Sequence, residues 1–256
     1  MHTMPEIKRL TVVTGHYGCG KTNLSINLAL DLARGAGGAA DTGTAAAGTA
    51  AAAEVTLVDL DVVNPYFRSS DYAEMLAARG VRMIAPTFAG TTLDTPSLSA
   101  AIPAAFESEG AVILDVGGDD AGATALGRFS AGIAALDYDL LYVVNRYRNL
   151  TSTPEEAAEL LAEIEIASHL KATGVVNNSH LQRETTLATV LDSIEFARQT
   201  AELLGLPLVC TTVPAWLGRE FSDDPGAATY VQNAYPVEVW VHTPWDAGPE
   251  EHKEAF

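Results

Sequence analysis

Basic side chains are scarce in this chain: 15 lysines and arginines stand against 33 aspartates and glutamates, for a net charge of -18. The imbalance argues against a surface that neutralises a nucleic-acid backbone or rests on anionic lipid, because both need clustered cations. No nucleic-acid partner and no membrane partner are therefore expected. Cysteine is scarcer still. Cys19 and Cys210 are the only two, and they form neither a metal-type spacing nor a disulfide framework. A reducing, cytoplasmic setting is expected on that ground. Long apolar runs are missing as well: the opening MHTMPEIKRL has no apolar signal core. Nothing approaches the roughly 18 consecutive apolar residues a membrane helix needs. The ending WDAGPEEHKEAF is no basic amphipathic anchor either.

Against these absences one stretch stands out. VVTGHYGCGKTNLSINLAL, residues 12 to 30, runs from a β-like segment through Gly15, Gly18 and Gly20 into a helical pattern with Leu24, Leu28 and Leu32 on one stripe. The spacing G-x-x-x-x-G-K-T is that of a phosphate-binding loop. Its glycines let several backbone N–H groups point at one anion, and the following helix adds its positive N-terminal dipole. Lys21 supplies a point charge for the β- and γ-phosphates, and the Thr22 hydroxyl is a ligand for Mg²⁺. Gly15, Gly18, Cys19, Gly20, Lys21, Thr22 and Asn23 form the expected phosphate-binding set. Cys19 has the size that a tight loop accepts, and a thiol beside a helix N-terminus is expected to have a lowered pKa and to be open to oxidation.

A phosphate loop needs carboxylates to complete a metal site. Asp59 and Asp61 close the run VTLVDLD, and Asp115 ends VILDV before GGDDAG. In open α/β sheets ligands gather at the carboxyl ends of strands, and both groups fall there. Asn177 and Asn178 end another strand-like run, where an amide can read a base or simply form a turn. With no N-K-x-D signature the base reading tilts to adenine.

Around these motifs strands and helices alternate. β-rich runs at 10–14, 55–60, 81–85, 111–116, 140–145, 172–177 and 206–213 are separated by helical patterns, and 237–243 reads as a last strand. Thr153, Pro154 and Glu156 predict a capped helix start. Leu187, Val190, Leu191, Ile194, Ala197, Ala201 and Leu204 predict one long helix closed by Gly205. The expectation is a single α/β domain over 1–256, with a mostly parallel β-sheet flanked by helices on both faces. Residues 35–53 hold ten alanines, five glycines and three threonines. That composition cannot build a core and reads as a flexible insertion. The acidic tail at 245–256 is expected to fray.

GHYGCGKT, VDLDVVNPYFR, DVGGDDAGA and VVNNSHL together resemble the ParA/MinD/CobQ-like, SIMIBI-class branch of P-loop NTPases, over nearly the whole chain outside the insertion and tail. The resemblance implies ATP and Mg²⁺ as ligands, with Thr22, Asp61 and Asp115 around the metal. It also implies Lys21 and Asp61 as the catalytic pair and Gly117-Gly118 as a switch segment. Where partition members carry a second loop lysine this chain has His16, a departure that counts against a nucleotide-bridged homodimer while leaving a homodimer of another kind open. Arg68, Arg146 and Arg148 are candidates for a charge on the transition state. The leading functional expectation is a nucleotide-dependent switch with slow ATP hydrolysis, acting on an unknown protein or small-molecule partner. The alternative is an ATP-dependent small-molecule kinase or carboxylate-activating enzyme, and a DNA- or membrane-positioning ATPase comes third.

Overall fold

The computed structural model describes residues 4–38, 54–61, 68–86, 101–231 and 233–241. The predicted insertion beyond Gly38, the NPYF stretch at 64–67, residues 87–100 and the acidic tail lie outside the described residues.

Among the described residues eight strands form one sheet: β1 Leu10–Gly15, β2 Val55–Leu60, β3 Val81–Ile84, β4 Ala111–Val116, β5 Tyr138–Val144, β6 Gly174–Asn177, β7 Leu208–Pro214 and β8 Ala234–Val237. Their order is β3-β2-β4-β1-β5-β6-β7-β8, and every pair is parallel. Strands of near-continuous valine, leucine and isoleucine require this arrangement, because only a sheet covered on both faces hides both sides of such a run.

The helices run in chain order: α1 Lys21–Gly38, α2 Ala73–Ala77, α3 Ala101–Phe106, α4 Asp119–Gly127, α5 Ser130–Ala134, α6 Pro154–Ser168, α7 Leu187–Asp192, α8 Ile194–Leu204, α9 Gly218–Asp223 and α10 Pro225–Tyr230. Alternate strand residues divide between two cores. Val12, Val58, Leu114, Tyr142 and Val144 pack with Leu126 of α4, Leu161 of α6 and Ala197 of α8. Val13, Leu57, Ile113 and Val143 pack with Leu24 and Leu28 of α1 on the other face. The period of two also places the carboxylates: Asp59 and Asp115, two residues beyond Leu57 and Ile113, fall on the α1 face.

The capped start at Thr153 forms as the sequence predicts, with Thr153 Oγ1 accepting from the Glu156 amide at 3.2 Å. Gly205 ends α8 in the left-handed conformation. The predicted single helix over 187–204 is instead two. Ser193 interrupts it, its hydroxyl bonding the Val190 carbonyl at 2.7 Å and accepting from the Asn177 amide at 2.9 Å. A serine that satisfies backbone locally competes with helical continuation. Residues 35–38, assigned to the insertion by composition, instead continue α1 as far as Gly38. The last predicted strand, 237–243, is likewise displaced: β8 stops at Val237, and the chain beyond it leaves the sheet. Among the described residues no helix is long and apolar enough to cross a membrane.

Candidate functional site

β1 lies at the centre of the sheet, between β4 and β5, and the chain order reverses around it. Ligand crevices in open parallel sheets form at the carboxyl end of such a strand. The loop Gly15–Gly20 leaves β1 there and delivers its chain into the first turn of α1. All three motif glycines have positive φ, at 148°, 74° and 87° for Gly15, Gly18 and Gly20. At Gly20 a side chain would also collide with the Asn178 amide. Lys21 is buried, and its ammonium donates to the His16 carbonyl at 3.0 Å across the loop.

A cavity of about 330 Å³ opens over this loop. At one end it is bounded by Gly18, Gly20, Lys21, Thr22, Asp61 and Gly118. On the β7 side it is bounded by Asn178, His180, Thr185, Thr212, Pro214 and Trp216, and Val237, Val239 and Val241 form a further wall. Of the predicted phosphate set, Gly18, Gly20, Lys21, Thr22 and Asn23 line this cavity together with Asp61, whereas Gly15 and Cys19 do not.

Behind the end formed by the glycine loop lie the two buried carboxylates. Asp59 and Asp115 are register neighbours on β2 and β4. Asp59 is fully buried, and Arg68 Nε donates to its Oδ2 at 3.1 Å. Its Oδ1 accepts from the Asp61 amide at 2.9 Å. Asp115 is held differently: Ser25 Oγ donates to its Oδ1 at 3.3 Å, while Oδ2 has no hydrogen-bond partner among the described residues. Burial, and then the nearby Asp59 charge, push Asp115 up to about 7, with the Lys21 charge and the neighbouring Ser69 and Thr22 hydroxyls acting the other way, although neither hydroxyl reaches Oδ2 in hydrogen-bond geometry. A buried carboxylate oxygen left without a partner is what a divalent cation would satisfy. No group of three or more His, Cys, Asp or Glu among the described residues could hold a metal by itself. Thr22 and Asp115 thus fit a Mg²⁺ that takes its remaining ligands from phosphate oxygens and water.

The segment after β4 is packed too tightly for side chains. A Cβ on Gly117 would meet Asp61 Oδ1 at 2.8 Å, and one on Gly118 would meet the Tyr17 backbone at the same distance. The predicted switch segment thus touches both Asp61 and the phosphate loop.

Two of the three candidate arginines are committed elsewhere. Arg68 holds Asp59, and Arg146 donates to the Asp192 carbonyl with its guanidinium 5.8 Å from the Tyr147 ring. Arg148 lies at the loop itself, Nε donating to the Gly18 carbonyl at 2.9 Å. Nearby, His180 Nδ1 accepts from the Gln182 amide at 3.2 Å. Burial, with the Arg148 charge adding to it, lowers His180 to about 4. It is neutral at physiological pH, and with Nδ1 accepting, the proton is assigned to Nε2 on the side of Gly20.

Three expectations change. Asn177 does not line the cavity: its amide is spent on the Ser193 and Thr211 hydroxyls inside the fold. Asn178 is the one at the site, bridging the Cys19 carbonyl and the Thr212 hydroxyl at 2.6 Å each. Asn23 sits at the cavity edge but gives its side chain to the backbone of Glu238, Trp240 and Val241. Cys19 is fully buried, and burial raises its thiol despite the opposing Lys21 and Arg148 charges. The predicted low-pKa, oxidisable thiol is not there. Burial also pushes Cys210 up, to about 12. A thiol reagent at pH 8 should modify neither cysteine in the folded protein and both after denaturation. Rapid labelling of native Cys19 would contradict this placement.

The sequence could not have revealed the partnership of Asp59 with Arg68, nine residues apart. Nor does any pattern mark Trp216 or the three valines as cavity residues.

No protein-family model matches the chain, and no curated protein sequence does. Among solved structures it is similar to the cell division protein FtsY of Thermotoga maritima, at 16% identity and a TM-score of 0.48, over 83% of this chain and 64% of that one. It is also similar to the signal recognition particle 54 kDa protein of Aeropyrum pernix in complex with GDP, at 13% identity and 0.48, over 82% and 42%. A third is the signal recognition particle receptor FtsY of Elizabethkingia anophelis in complex with GDP, at 14% identity and 0.46, over 83% and 60%. The chain spans 42 to 64% of the length of these structures. Its own geometry is that of a P-loop α/β fold, with the phosphate loop joining the central parallel strand to the first helix.

Proposed function

We propose that the protein binds Mg²⁺ and a nucleoside triphosphate, ATP in preference to GTP, and hydrolyses it slowly as a SIMIBI-class switch read by a partner. One observation carries this reading: the cavity that starts on the positive-φ glycine loop and Lys21 is backed by a buried carboxylate with an unsatisfied oxygen. Loop amides and the α1 dipole receive the phosphates, and Lys21 exchanges the His16 carbonyl for phosphate oxygen. Thr22 and Asp115 would hold Mg²⁺, which when bound neutralises charge on the phosphate chain. Asp61, held between the Gly117 backbone and the cavity, orients the attacking water at the γ end. Because Asp61 touches Gly117, loss of the γ-phosphate changes the packing of the 117–123 segment, and this is the surface a partner would sense.

Adenine is favoured by what lines the β7 side. Guanine offers an adjacent N1–H and N2–H₂ donor pair that calls for a carboxylate. Among the described residues the carboxylate lining the cavity is Asp61, at the phosphate end.

Equilibrium binding of ATP and GTP, with and without Mg²⁺, tests the ligand assignment. Turnover tests the role of Asp61. Asp61→Ala should lower the rate about tenfold or more, as losing the group that positions the nucleophile does, while ATP affinity stays within about threefold. Turnover equal to wild type would remove Asp61 from the mechanism, and tighter binding of GTP would overturn the adenine assignment.

A further inference from the structure

Beyond Val237 the chain has left the sheet, yet its backbone is not abandoned to solvent. Asn23 and Asn27, one turn apart on α1, take over the role of a neighbouring strand. Asn23 Nδ2 donates to the Glu238 carbonyl at 2.9 Å, and its Oδ1 accepts from the amides of Trp240 and Val241 at 2.8 and 3.3 Å. Asn27 Nδ2 donates to the same Glu238 carbonyl at 2.9 Å, and its Oδ1 accepts from the Glu238 amide at 2.9 Å. An amide side chain can imitate both halves of a peptide group in this way. Asparagine is a poor helix former, so two of them on one face of α1 cost the helix something that the hydrogen bonds to the strap offset. Two further contacts fix the segment: Tyr235 donates to Asp31 of α1 at 2.8 Å, and Trp240 lies under the Arg79 guanidinium at 5.1 Å.

The consequence is a wall. Val237, Val239 and Val241 all line the cavity. Val237 pairs in register with Pro214 of β7, so the wall stands on the β7 side, with Pro214 and Trp216 completing its apolar lining. Val237 belongs to the core on the α1 face and Trp240 and Val241 pack against it, so the side-chain clamps and this packing together hold the row of alternate valines at the cavity.

We propose that residues 237–241 form a ligand-contacting strap that selects a flat, weakly polar group carried on the phosphate chain, the base of the bound nucleotide, and that Asn23 and Asn27 are its positioning residues. The proposal rests on the phosphate-site reading above. Because the clamps stand on the first two turns of α1, directly behind Lys21 and Thr22, the strap also fixes the distance between the phosphate subsite and the base.

The test compares ATP with inorganic tripolyphosphate, which has the phosphate chain and no base. In the full-length protein, the double variant Asn23→Ala/Asn27→Ala should bind ATP at least tenfold more weakly and tripolyphosphate within twofold of wild type. Val239→Gln leaves both clamps in place and should give the same split, which keeps the test decisive if the double variant folds poorly. Unchanged ATP affinity in Val239→Gln overturns the strap assignment. Parallel losses of ATP and tripolyphosphate overturn it too, since they would mean that the segment only braces the helix. A wild-type protein that binds neither ligand overturns the phosphate-site reading itself, and the strap with it.

Discussion

Replacing Lys21 with alanine should all but abolish nucleotide binding while leaving the protein folded. In the structure the ammonium is buried at the floor of the cavity and donates to the His16 carbonyl. That bond keeps the charge satisfied without a ligand and leaves it aimed along the loop. Two unit charges about 4 Å apart near a protein surface interact by roughly 4 kcal/mol at an effective dielectric of 20. A phosphate chain carries more than one charge, although screening and the lost His16 contact offset part of the gain. A loss of about 3–4 kcal/mol, two to three orders of magnitude in Kd, is therefore expected. Alanine is a good helix former at this first position of α1, so the fold should tolerate the change. Calorimetric titration with Mg·ATP, alongside a thermal melt, measures both. A folded Lys21→Ala protein with wild-type affinity would place the phosphates elsewhere.

Arg68→Met should be among the most destabilising single changes in the chain. Arg68 and Asp59 form an ion pair whose side chains are 7% and 0% exposed, with Nε and Oδ2 3.1 Å apart. Asp115 is the register neighbour of Asp59, so the ion pair lies beside a second carboxylate on the same face of the sheet. Removing one partner of a buried pair leaves an uncompensated charge and costs about 3–5 kcal/mol, whereas removing both often costs far less. The double variant Arg68→Met/Asp59→Asn should accordingly recover a large part of the loss. Urea unfolding of wild type, single and double variants measures the difference. A single variant with an unchanged midpoint would show that the pair is not buried in solution. The pair also fixes the start of the helical turn at Ser69–Tyr72, because Ser70 donates its amide to Asp59 Oδ2 at 3.4 Å. Asp61 takes its position from the same carboxylate through its amide. Stability and the proposed water-orienting role are thus coupled through Asp59.

Whatever depends on contacts between near neighbours along the chain was legible in the residue order. The phosphate loop was legible because the glycines, through backbone conformation, and Lys21 and Thr22, through their side chains, act within a stretch of about eight residues. The parallel sheet was legible because unbroken apolar strands separated by helices have few other ways to be buried. The capped start of α6 was legible because Thr153 and Glu156 close a box within one helical turn. Asp59, Asp61 and Asp115 were recognisable as strand-end carboxylates from the same alternation.

Everything that depends on which strand ends lie side by side came from the tertiary fold. Periodicity says that Asn177 and Asn178 end a strand. Only the packing of Ser193 and Thr211 against one face shows that Asn177 turns inward and Asn178 faces the loop. A place beside a helix N-terminus argues for a low pKa at Cys19, but complete burial reverses the sign, because desolvating a thiolate outweighs the nearby cations. Val237, Val239 and Val241 read as one more strand until Asn23 and Asn27, far earlier in the chain, take the hydrogen bonds a neighbouring strand would have made. Local pattern fixes how each segment is shaped. Which charges are paired, which amides are spent and which apolar face borders the cavity are set by partners distant in sequence, and a single chain read in order carries no signal of them.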